Sequence, residues 1–325
     1  MTLPPKRSAA PDRPARTVFF GSGAFALPIL DALVASAAVE LVIVISSPDK
    51  AAGRGGGVQS VPIAAVARTL GLPLLQPERL RAPETATAIE DLRPDIGVLA
   101  DFGRLVPPSI LAIPRRGILN VHPSLLPRHR GATPVPSTIL SGDATAGVVI
   151  IAMDEGLDTG PVVASRSWPL DGTETAPELE ARAAREGAGL LAEILEPYLR
   201  REHPPVPQAG PVTLTRPLRR DDGRLDPARS AAELERQVRA YRPWPGSFVE
   251  TAAGRLVVLR AAVGERQPGD RTGQLVADGT SLALVTTEGR LRLLEVQRAG
   301  GRPMSGVEYR RGHKALVGQP VGGAG

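Results

Sequence analysis

The first two hundred residues alternate between short apolar runs and segments whose apolar positions recur at helical spacing. Continuous apolar runs, which are typical of strands buried on both faces of a sheet, occupy residues 17–21, 40–46, 95–99, 117–121 and 147–152. Helical spacing is found at residues 24–38, 62–70, 85–92 and, over a longer stretch, 175–198. Strands that alternate with helices form βαβ units with right-handed crossovers. The pattern therefore predicts an α/β domain with a mostly parallel sheet.

The pattern changes after residue 202. Residues 203–212 hold four prolines and predict a stiff, extended linker. One helix is predicted at 231–241, and short β-rich runs follow between glycines at residues 255–260, 272–276, 282–287 and 291–296. Several short strands separated by turn residues predict a small β-barrel.

These patterns predict a domain organisation. Residues 1–16 are rich in proline and charge and lack the apolar segment of a signal peptide, so we expect a disordered tail. We then expect an α/β domain at 17–202, the linker at 203–212 and a β-rich domain at 213–318. No apolar run approaches the ~20 residues of a membrane span, and we expect no membrane contact. Cysteine is absent, which excludes disulfides, thiolate metal sites and cysteine nucleophiles and favours the cytoplasm.

The formal net charge of +5 is distributed unevenly. From residue 206 onward there are 19 Lys or Arg against 12 Asp or Glu, a net charge of +7, which leaves −2 for the rest. A basic C-terminal third on a nearly neutral body indicates a polyanionic partner. An arginine-rich composition would also charge surfaces that have no partner. Charge alone therefore leaves nucleic-acid binding open.

A glycine-rich turn at residues 21–26 (GSGAFA) follows the first predicted strand and opens a helix, as a dinucleotide fingerprint does. Ala26 stands in place of the third glycine. No acidic residue closes the second strand, although Asp49 follows three residues later. A tight strand-to-helix connection is the favoured explanation of the turn. An NAD-binding oxidoreductase is therefore kept as the less favoured alternative.

The chemistry is concentrated in residues 117–160. Asn120 and His122 are two residues apart at the end of a strand, so their side chains face the same side of the sheet, where open α/β sheets bind ligands. Asp158 follows in a glycine-flanked turn. An amide can donate a hydrogen bond to an oxyanion, and a protonated imidazole can also stabilise it and then shuttle protons. The carboxylate would favour the imidazolium, so the set suits acyl transfer to an amine.

Each of these residues also has a purely structural explanation. A histidine at a strand end is often structural, and an aspartate between glycines is often only a turn former. The ordered combination of the three is what favours catalysis.

Two motifs resemble the signature of the folate-dependent formyltransferases. They are residues 120–128 (NVHPSLLPR), followed by Arg130-Gly131-Ala132, and residues 147–160, which end in GLDTG. The resemblance implies a Rossmann-like catalytic domain at 17–202 with 10-formyltetrahydrofolate as co-substrate and no metal. It implies that the catalytic residues are Asn120, His122 and Asp158. The folate contacts that it implies are Ser124, Leu125, Leu126 and Pro127, with Phe102, Gly103 and Leu105 near the pterin.

Within this family the resemblance is to the methionyl-tRNA formyltransferases. Residues 47–55 (SPDKAAGRG) resemble their loop after the second strand, which implies that Arg54 contacts the tRNA acceptor stem. Similarity continues at 239–245 (RAYRPWP) and 297–305 (QRAGGRPMS). It implies an OB-like tRNA-binding domain at 213–318 and a monomer that takes initiator methionyl-tRNA for translation initiation.

The chain departs from the family pattern at several positions, and two alternatives follow. Gly56 and Gly57 stand where lysines often follow the loop arginine, and Asp101 places an acid beside the pterin segment. A formyltransferase acting on another amine, of a nucleotide or an amino sugar, is the closest competitor. A non-catalytic folate- or RNA-binding protein on the same scaffold is the other.

Overall fold

The computed structural model describes residues 13–51 and 58–322. The chain forms two compact units, neither of which is continuous in sequence. Of the described residues, one unit contains those up to 134 together with 145–169 and 180–215, and the other contains 135–144, 170–179 and those from 216 onward. The domain limits given above stay predictions.

Up to residue 215 the chain forms eleven strands and six helices within the described residues. The strands are β1 Ala15–Gly21, β2 Val39–Ile45, β3 Lys50–Ala51, β4 Val58–Gln59, β5 Leu74–Leu75, β6 Ile96–Ala100, β7 Ile118–His122, β8 Arg130–Gly131, β9 Thr145–Ala152, β10 Val162–Pro169 and β11 Leu214–Thr215. The helices are α1 Leu27–Ala35, α2 Pro62–Thr69, α3 Pro83–Glu90, α4 Pro108–Leu111, α5 Pro134–Leu140 and α6 Ala176–Leu199, and a 3-10 turn at Ala24–Ala26 precedes α1. Proline in the first turn of α1 to α4 fits helix starts, where its missing N–H costs nothing.

The main sheet of the first unit has seven strands in the order β10-β9-β7-β6-β1-β2-β5. The strands from β7 to β5 are parallel, whereas β9 is antiparallel to β7 and β10 is antiparallel to β9. The central strands are buried on both faces, which explains their continuous apolar runs. The predicted mostly parallel α/β sheet is confirmed. The carboxyl end of β7 therefore lies where the parallel part of the sheet meets the antiparallel part.

The first strand begins two residues earlier than predicted. The backbone N–H of Ala15 donates to the carbonyl oxygen of Ala38 at 2.9 Å. The side chain of Arg16 donates to the carbonyl oxygen of Leu92 at 2.8 Å. These contacts come from residues distant in sequence, which a local pattern does not reveal.

From residue 216 onward the described residues form an antiparallel sheet and two α-helices. The elements are a 3-10 turn at Arg220–Gly223, α7 Ala231–Ala240, β12 Ser247–Thr251, β13 Gly254–Gly264, β14 Leu275–Asp278, β15 Ser281–Val285, β16 Arg290–Arg298, β17 Met304–Ser305, α8 Gly306–Gly312 and a 3-10 turn at Lys314–Leu316. The strand order is β12-β13-β16-β15-β14, and β17 pairs with β16. Register shifts near Val258 and Arg260 let the long β13 bend, as a curled sheet requires. The predicted small OB-like domain is confirmed.

Among the described residues, no helix combines the length and the apolar composition that crossing a membrane requires.

Candidate active site

The strand β7 presents Asn120 and His122 at the carboxyl edge of the sheet. Both side chains are buried. Nδ2 of Asn120 donates a hydrogen bond to Oδ1 of Asp158 at 3.3 Å, and Nδ1 of His122 lies 3.8 Å from the same oxygen. The structure thus brings together the three residues that the sequence singled out, although Asp158 lies 38 positions after Asn120.

The turn that carries Asp158 is built by close contacts. Asp158 has a φ of +53°, a left-handed conformation that aspartate tolerates better than most residues with a side chain. Its Oδ2 accepts a hydrogen bond from the backbone N–H of Gly131 at 2.8 Å. A side chain at Gly160 would clash with the carbonyl oxygen of Ala152, so glycine is required there. The carboxylate is therefore fixed by the backbone as well as by Asn120.

The protonation state of His122 follows from its surroundings. Burial lowers the pKa of His122, and the nearby ring of His129 acts in the same direction. The carboxylate of Asp158 and the carbonyl oxygen of His129, 3.3 Å from Nε2, offset the effect of burial only in part. The free protein therefore holds a neutral imidazole at neutral pH. The structure favours this neutral ring over the imidazolium considered from the sequence.

The loop after β7 is held by its own hydrogen bonds and by packing on β9. Ser124 is buried, its backbone N–H donates to the carbonyl oxygen of His122, and its Oγ donates to that of Arg128 at 2.8 Å. Leu125 packs so closely on Gly147 of β9 that any side chain there would clash with it. Pro127 is buried and Leu126 is half-buried. Folate contacts from residues 124–127 stay a prediction.

A cavity of about 180 Å³ opens beside Asn120 and Asp158. Apolar side chains dominate its wall, and two of them are unusually exposed: Leu105 at 67% and Leu157 at 49%. Other lining residues include Arg81, Leu99, Arg104, Val106, Pro107 and Met153. Of the three residues predicted near a pterin, Leu105 thus lines the cavity.

The other two residues predicted near a pterin serve the backbone and the core. Phe102 is buried, and its ring packs edge-on against Phe20 with 5.6 Å between the centroids. Gly103 has a φ of +70°, so it supplies a backbone turn.

The glycine-rich turn after β1 is occupied by the protein itself. The backbone N–H groups of Ser22 and Gly23 donate to the carbonyl oxygen of Asp101 at 3.0 and 3.2 Å. A side chain at Gly23 would overlap the carboxyl group of Asp101. These amides would face the phosphates in a dinucleotide-binding protein. The turn therefore gives no support to the NAD hypothesis.

Asp101 is itself unusual, because its φ of +43° is left-handed. The residue as a whole is exposed, but its carboxyl group lies against Gly23. Loss of hydration at that group raises the pKa of Asp101 to about 6, with a smaller contribution from Glu180. A backbone hydrogen bond from Phe25 acts in the opposite direction.

Sequence reasoning missed the residues that hold this site from behind. The carbonyl oxygen of His129 faces His122, and the backbone N–H of His129 donates to Oγ1 of Thr213 at 2.8 Å. The side chain of Gln208 bonds both Asp158 and Arg130. Gln208 lies in the proline-rich stretch that indicated only a linker, and Thr213 follows it directly. Arg54, the predicted tRNA contact, lies outside the described residues, as do Gly56 and Gly57.

Comparison with known proteins identifies the family of this chain. Residues 15–195 match the family "Formyl transferase", and residues 217–314 match "Formyl transferase, C-terminal domain". The chain is 40% identical over 313 residues to a methionyl-tRNA formyltransferase of Roseiflexus sp. (strain RS-1), covering 96% of each chain. The methionyl-tRNA formyltransferase of Halorhodospira halophila is 42% identical, with 94% of this chain and 99% of the relative covered. The chain belongs to the methionyl-tRNA formyltransferase family.

Solved structures share the fold at low sequence identity. An N-formyltransferase from Helicobacter canadensis, in complex with folinic acid and dTDP-3-aminofucose, has a TM-score of 0.63 at 14% identity, covering 86% of this chain and 98% of that one. HypX from Aquifex aeolicus, in complex with tetrahydrofolic acid, has a TM-score of 0.59 at 15% identity. This chain is covered to 94% by that match but spans about half of HypX, 49%.

Proposed function

We propose that this protein transfers the formyl group of 10-formyltetrahydrofolate to the free α-amino group of methionyl-tRNA, giving formylmethionyl-tRNA for translation initiation. The observation that carries the proposal is the convergence of Asn120, His122 and Asp158, the first and last of which line a cavity, in a chain of this family. The reaction belongs to protein synthesis, so we place the protein in the cytoplasm.

Asn120 is placed to stabilise the negative charge that develops on the formyl oxygen when the amine attacks. Its amide nitrogen carries two hydrogens, and one of them bonds Asp158. The other can donate to the formyl oxygen. A fixed donor in a buried site stabilises developing charge more than water does, because it needs no reorganisation.

His122 is placed to move the proton. The α-amino group titrates near pH ~7.7–8.0, so a useful fraction is uncharged and nucleophilic near neutrality. As the new C–N bond forms, the neutral imidazole takes the proton that the amine loses, and Asp158 stabilises the resulting imidazolium from 3.8 Å. His122 then returns that proton to the leaving nitrogen as the old C–N bond breaks. Protons and charge balance, and no step requires a metal ion.

The lining of the cavity suits part of a reduced folate, which carries the formyl group on a nitrogen beside an aromatic ring. Leu105, Leu157 and Met153 offer apolar surface to a flat ring system. Arg81 at the same cavity offers a cation to the carboxylates that a folate carries. We propose Ser124, Leu125, Leu126 and Pro127 as further contacts of the folate.

Two observations support tRNA as the carrier of the acceptor amine. The sequence beyond residue 206 carries a net charge of +7, which suits a polyphosphate chain. The match at residues 217–314 extends the family likeness through this basic part. We also propose that Arg54 contacts the acceptor stem.

The test is a formylation assay with three acceptors. The protein and 10-formyltetrahydrofolate are incubated with methionyl-tRNA, an amino-sugar nucleotide or glycinamide ribonucleotide, and the products are weighed by mass spectrometry. Formylmethionine released from the tRNA, with no formylation of the other amines, is the expected result. Formylation of one of the small amines alone would contradict the proposed acceptor while leaving formyl transfer standing.

A further inference from the structure

The side chain of Gln208 uses all of its hydrogen-bonding groups on the active site. Its Nε2 donates to the carbonyl oxygens of Asp158 and Gly160, both at 2.8 Å. Its Oε1 accepts from Nη2 and Nε of Arg130, at 2.7 and 3.1 Å. A primary amide has two donor hydrogens and two acceptor lone pairs, so every one is committed. A residue in a mere spacer would have no reason to be bonded in this way.

The backbone around Gln208 is fastened to the same place. We call residues 206–215 the active-site strap. At its start, the backbone of Val206 exchanges two hydrogen bonds with Val162 of β10, at 2.7 and 2.8 Å. Further along, the N–H of Thr213 donates to the carbonyl oxygen of Pro127. At its end, β11 pairs in parallel with β8. The strap therefore crosses both segments that flank the carboxylate of Asp158.

Gln208 acts on both sides of that carboxylate. It caps the carbonyl oxygen of Asp158, whose left-handed backbone aims the side chain at Asn120. It also holds Arg130, the neighbour of Gly131, and the N–H of Gly131 donates to the second carboxylate oxygen. Without Gln208, two backbone carbonyl groups lose their donor and the turn has fewer restraints. A displacement of about 1 Å in a reacting group can cost about 10²-fold in rate.

We propose that Gln208 is a positioning residue for formyl transfer, holding Asp158 in place against Asn120 and His122 from the active-site strap. The inference rests on the proposed function for its kinetic consequence, whereas its structural consequence is independent of the acceptor.

Two substitutions test whether Gln208 positions Asp158 or only fastens the strap to the rest of the protein. In Gln208→Glu the oxygen that accepts from Arg130 is kept and becomes charged, while the donor is replaced by an oxygen that faces two carbonyl oxygens. Gln208→Ala removes both halves. We expect the single-turnover rate of formyl transfer to fall tenfold or more in both variants, with KM for folate and tRNA changed less than twofold. The matched control is Gln319→Glu, the same change at an exposed residue beyond the predicted domain, which should keep the wild-type rate.

The pH dependence of the rate distinguishes these two roles, because a residue that only fastened the strap would leave the pH profile unchanged. The carboxylate of Asp158 raises the pKa of His122, so displacing that carboxylate lowers the pKa further. Because His122 must be neutral to take the proton, the acidic limb of the rate profile should move to lower pH in Gln208→Glu. A wild-type rate and profile in Gln208→Glu would overturn the proposal. Failure of both variants to fold would also overturn it, because Gln208 would then be structural.

A crystal structure of Gln208→Glu distinguishes this proposal from the proposed function. The expected result is that the carboxylate of Asp158 no longer contacts Nδ2 of Asn120. An unmoved Asp158 would overturn the positioning role whatever the acceptor proves to be. An inactive wild type with methionyl-tRNA would instead contradict the proposed function, and the structural result would still decide the role of Gln208.

Discussion

At the scale of single residues, His122 faces two oxygen atoms with only one hydrogen to offer. Its Nε2 lies 3.3 Å from the carbonyl oxygen of His129, and its Nδ1 lies 3.8 Å from the carboxylate of Asp158. A neutral imidazole has a single N–H, whereas an imidazolium has two. Burial keeps the resting ring neutral, and the second oxygen becomes a partner when a proton arrives. This arrangement suits a base that must accept a proton and then release it.

The lowered pKa of His122 predicts how stability depends on pH. An unfolded histidine binds a proton below about pH 6.5, but the folded one does so only at lower pH. The unfolded state therefore binds more protons in that window, and stability is lost as pH falls. We expect the wild type to lose more free energy of unfolding between pH 8 and pH 5 than His122→Asn does. Urea denaturation at the two pH values measures this, and parallel losses would contradict it.

The raised pKa of Asp101 predicts the opposite dependence of stability on pH. Its folded pKa of about 6 lies above the ordinary value of 3.8, so the folded state binds the extra proton and its stabilising effect is lost as pH rises through 6. Asp101→Asn keeps a side chain that tolerates the left-handed backbone. We expect the variant to melt at a higher temperature than the wild type at pH 8 and at a similar temperature at pH 4. A difference that is equal at both pH values would show that the carboxyl group does not titrate in this way.

At the scale of elements, the strands of the first 215 residues that have continuous apolar runs were predictable and the others were not. β6 and β7 are buried throughout, and their burial is visible in the sequence. In β10 only Val163 and Trp168 are buried, and the exposed Ser165 and Ser167 lie between them, so the strand offers no such run. The two-residue strands β8 and β11 exist only because distant segments pair. Local composition cannot contain that information.

The candidate site shows the same division. Asn120 and His122 could be grouped from their spacing on one strand. Asp158 could be singled out from its glycine-flanked turn, but its place beside the pair could not be read from spacing, because only the folded sheet brings it within 3.3 Å of Asn120. Gln208 left no signal among the prolines, since its role depends on two carbonyl groups and an arginine that meet it in space. Residues that support a site through the backbone are therefore the ones that sequence reasoning misses.

The close packing of the turn after β9 predicts that one added methyl group at Gly160 strongly affects stability. A Cβ at Gly160 would clash with backbone atoms of Ala152 and Met153, which cannot rotate away. We expect Gly160→Ala to lower the free energy of unfolding by about 1–3 kcal/mol, the usual range for overpacking, and to reduce formyl transfer by displacing Asp158. The control is Gly312→Ala at the end of α8, where a Cβ meets nothing within 4 Å. Equal stability of the two variants in thermal unfolding would contradict the contact.

At the scale of the whole molecule, the uneven charge predicts how each substrate responds to salt. The basic part beyond residue 206 carries a net charge of +7. Each phosphate contact adds to the salt dependence, and two contacts correspond to about a tenfold loss of affinity between about 50 and 200 mM salt. We therefore expect KM for methionyl-tRNA to rise by about tenfold over this range, while KM for the folate changes little. Equal changes for both substrates would contradict a basic tRNA-binding surface.

The central claim is that the three side chains at the edge of the sheet act as one catalytic group. A double-mutant cycle with His122→Ala and Asp158→Asn, followed by single-turnover formylation of methionyl-tRNA, measures this directly. Each single variant should lose about 10²-fold or more in rate. Because residues that act together are not additive, the double variant should be only slightly slower than the slower single one. Losses that multiply, or near-normal rates in either single variant, would contradict the account.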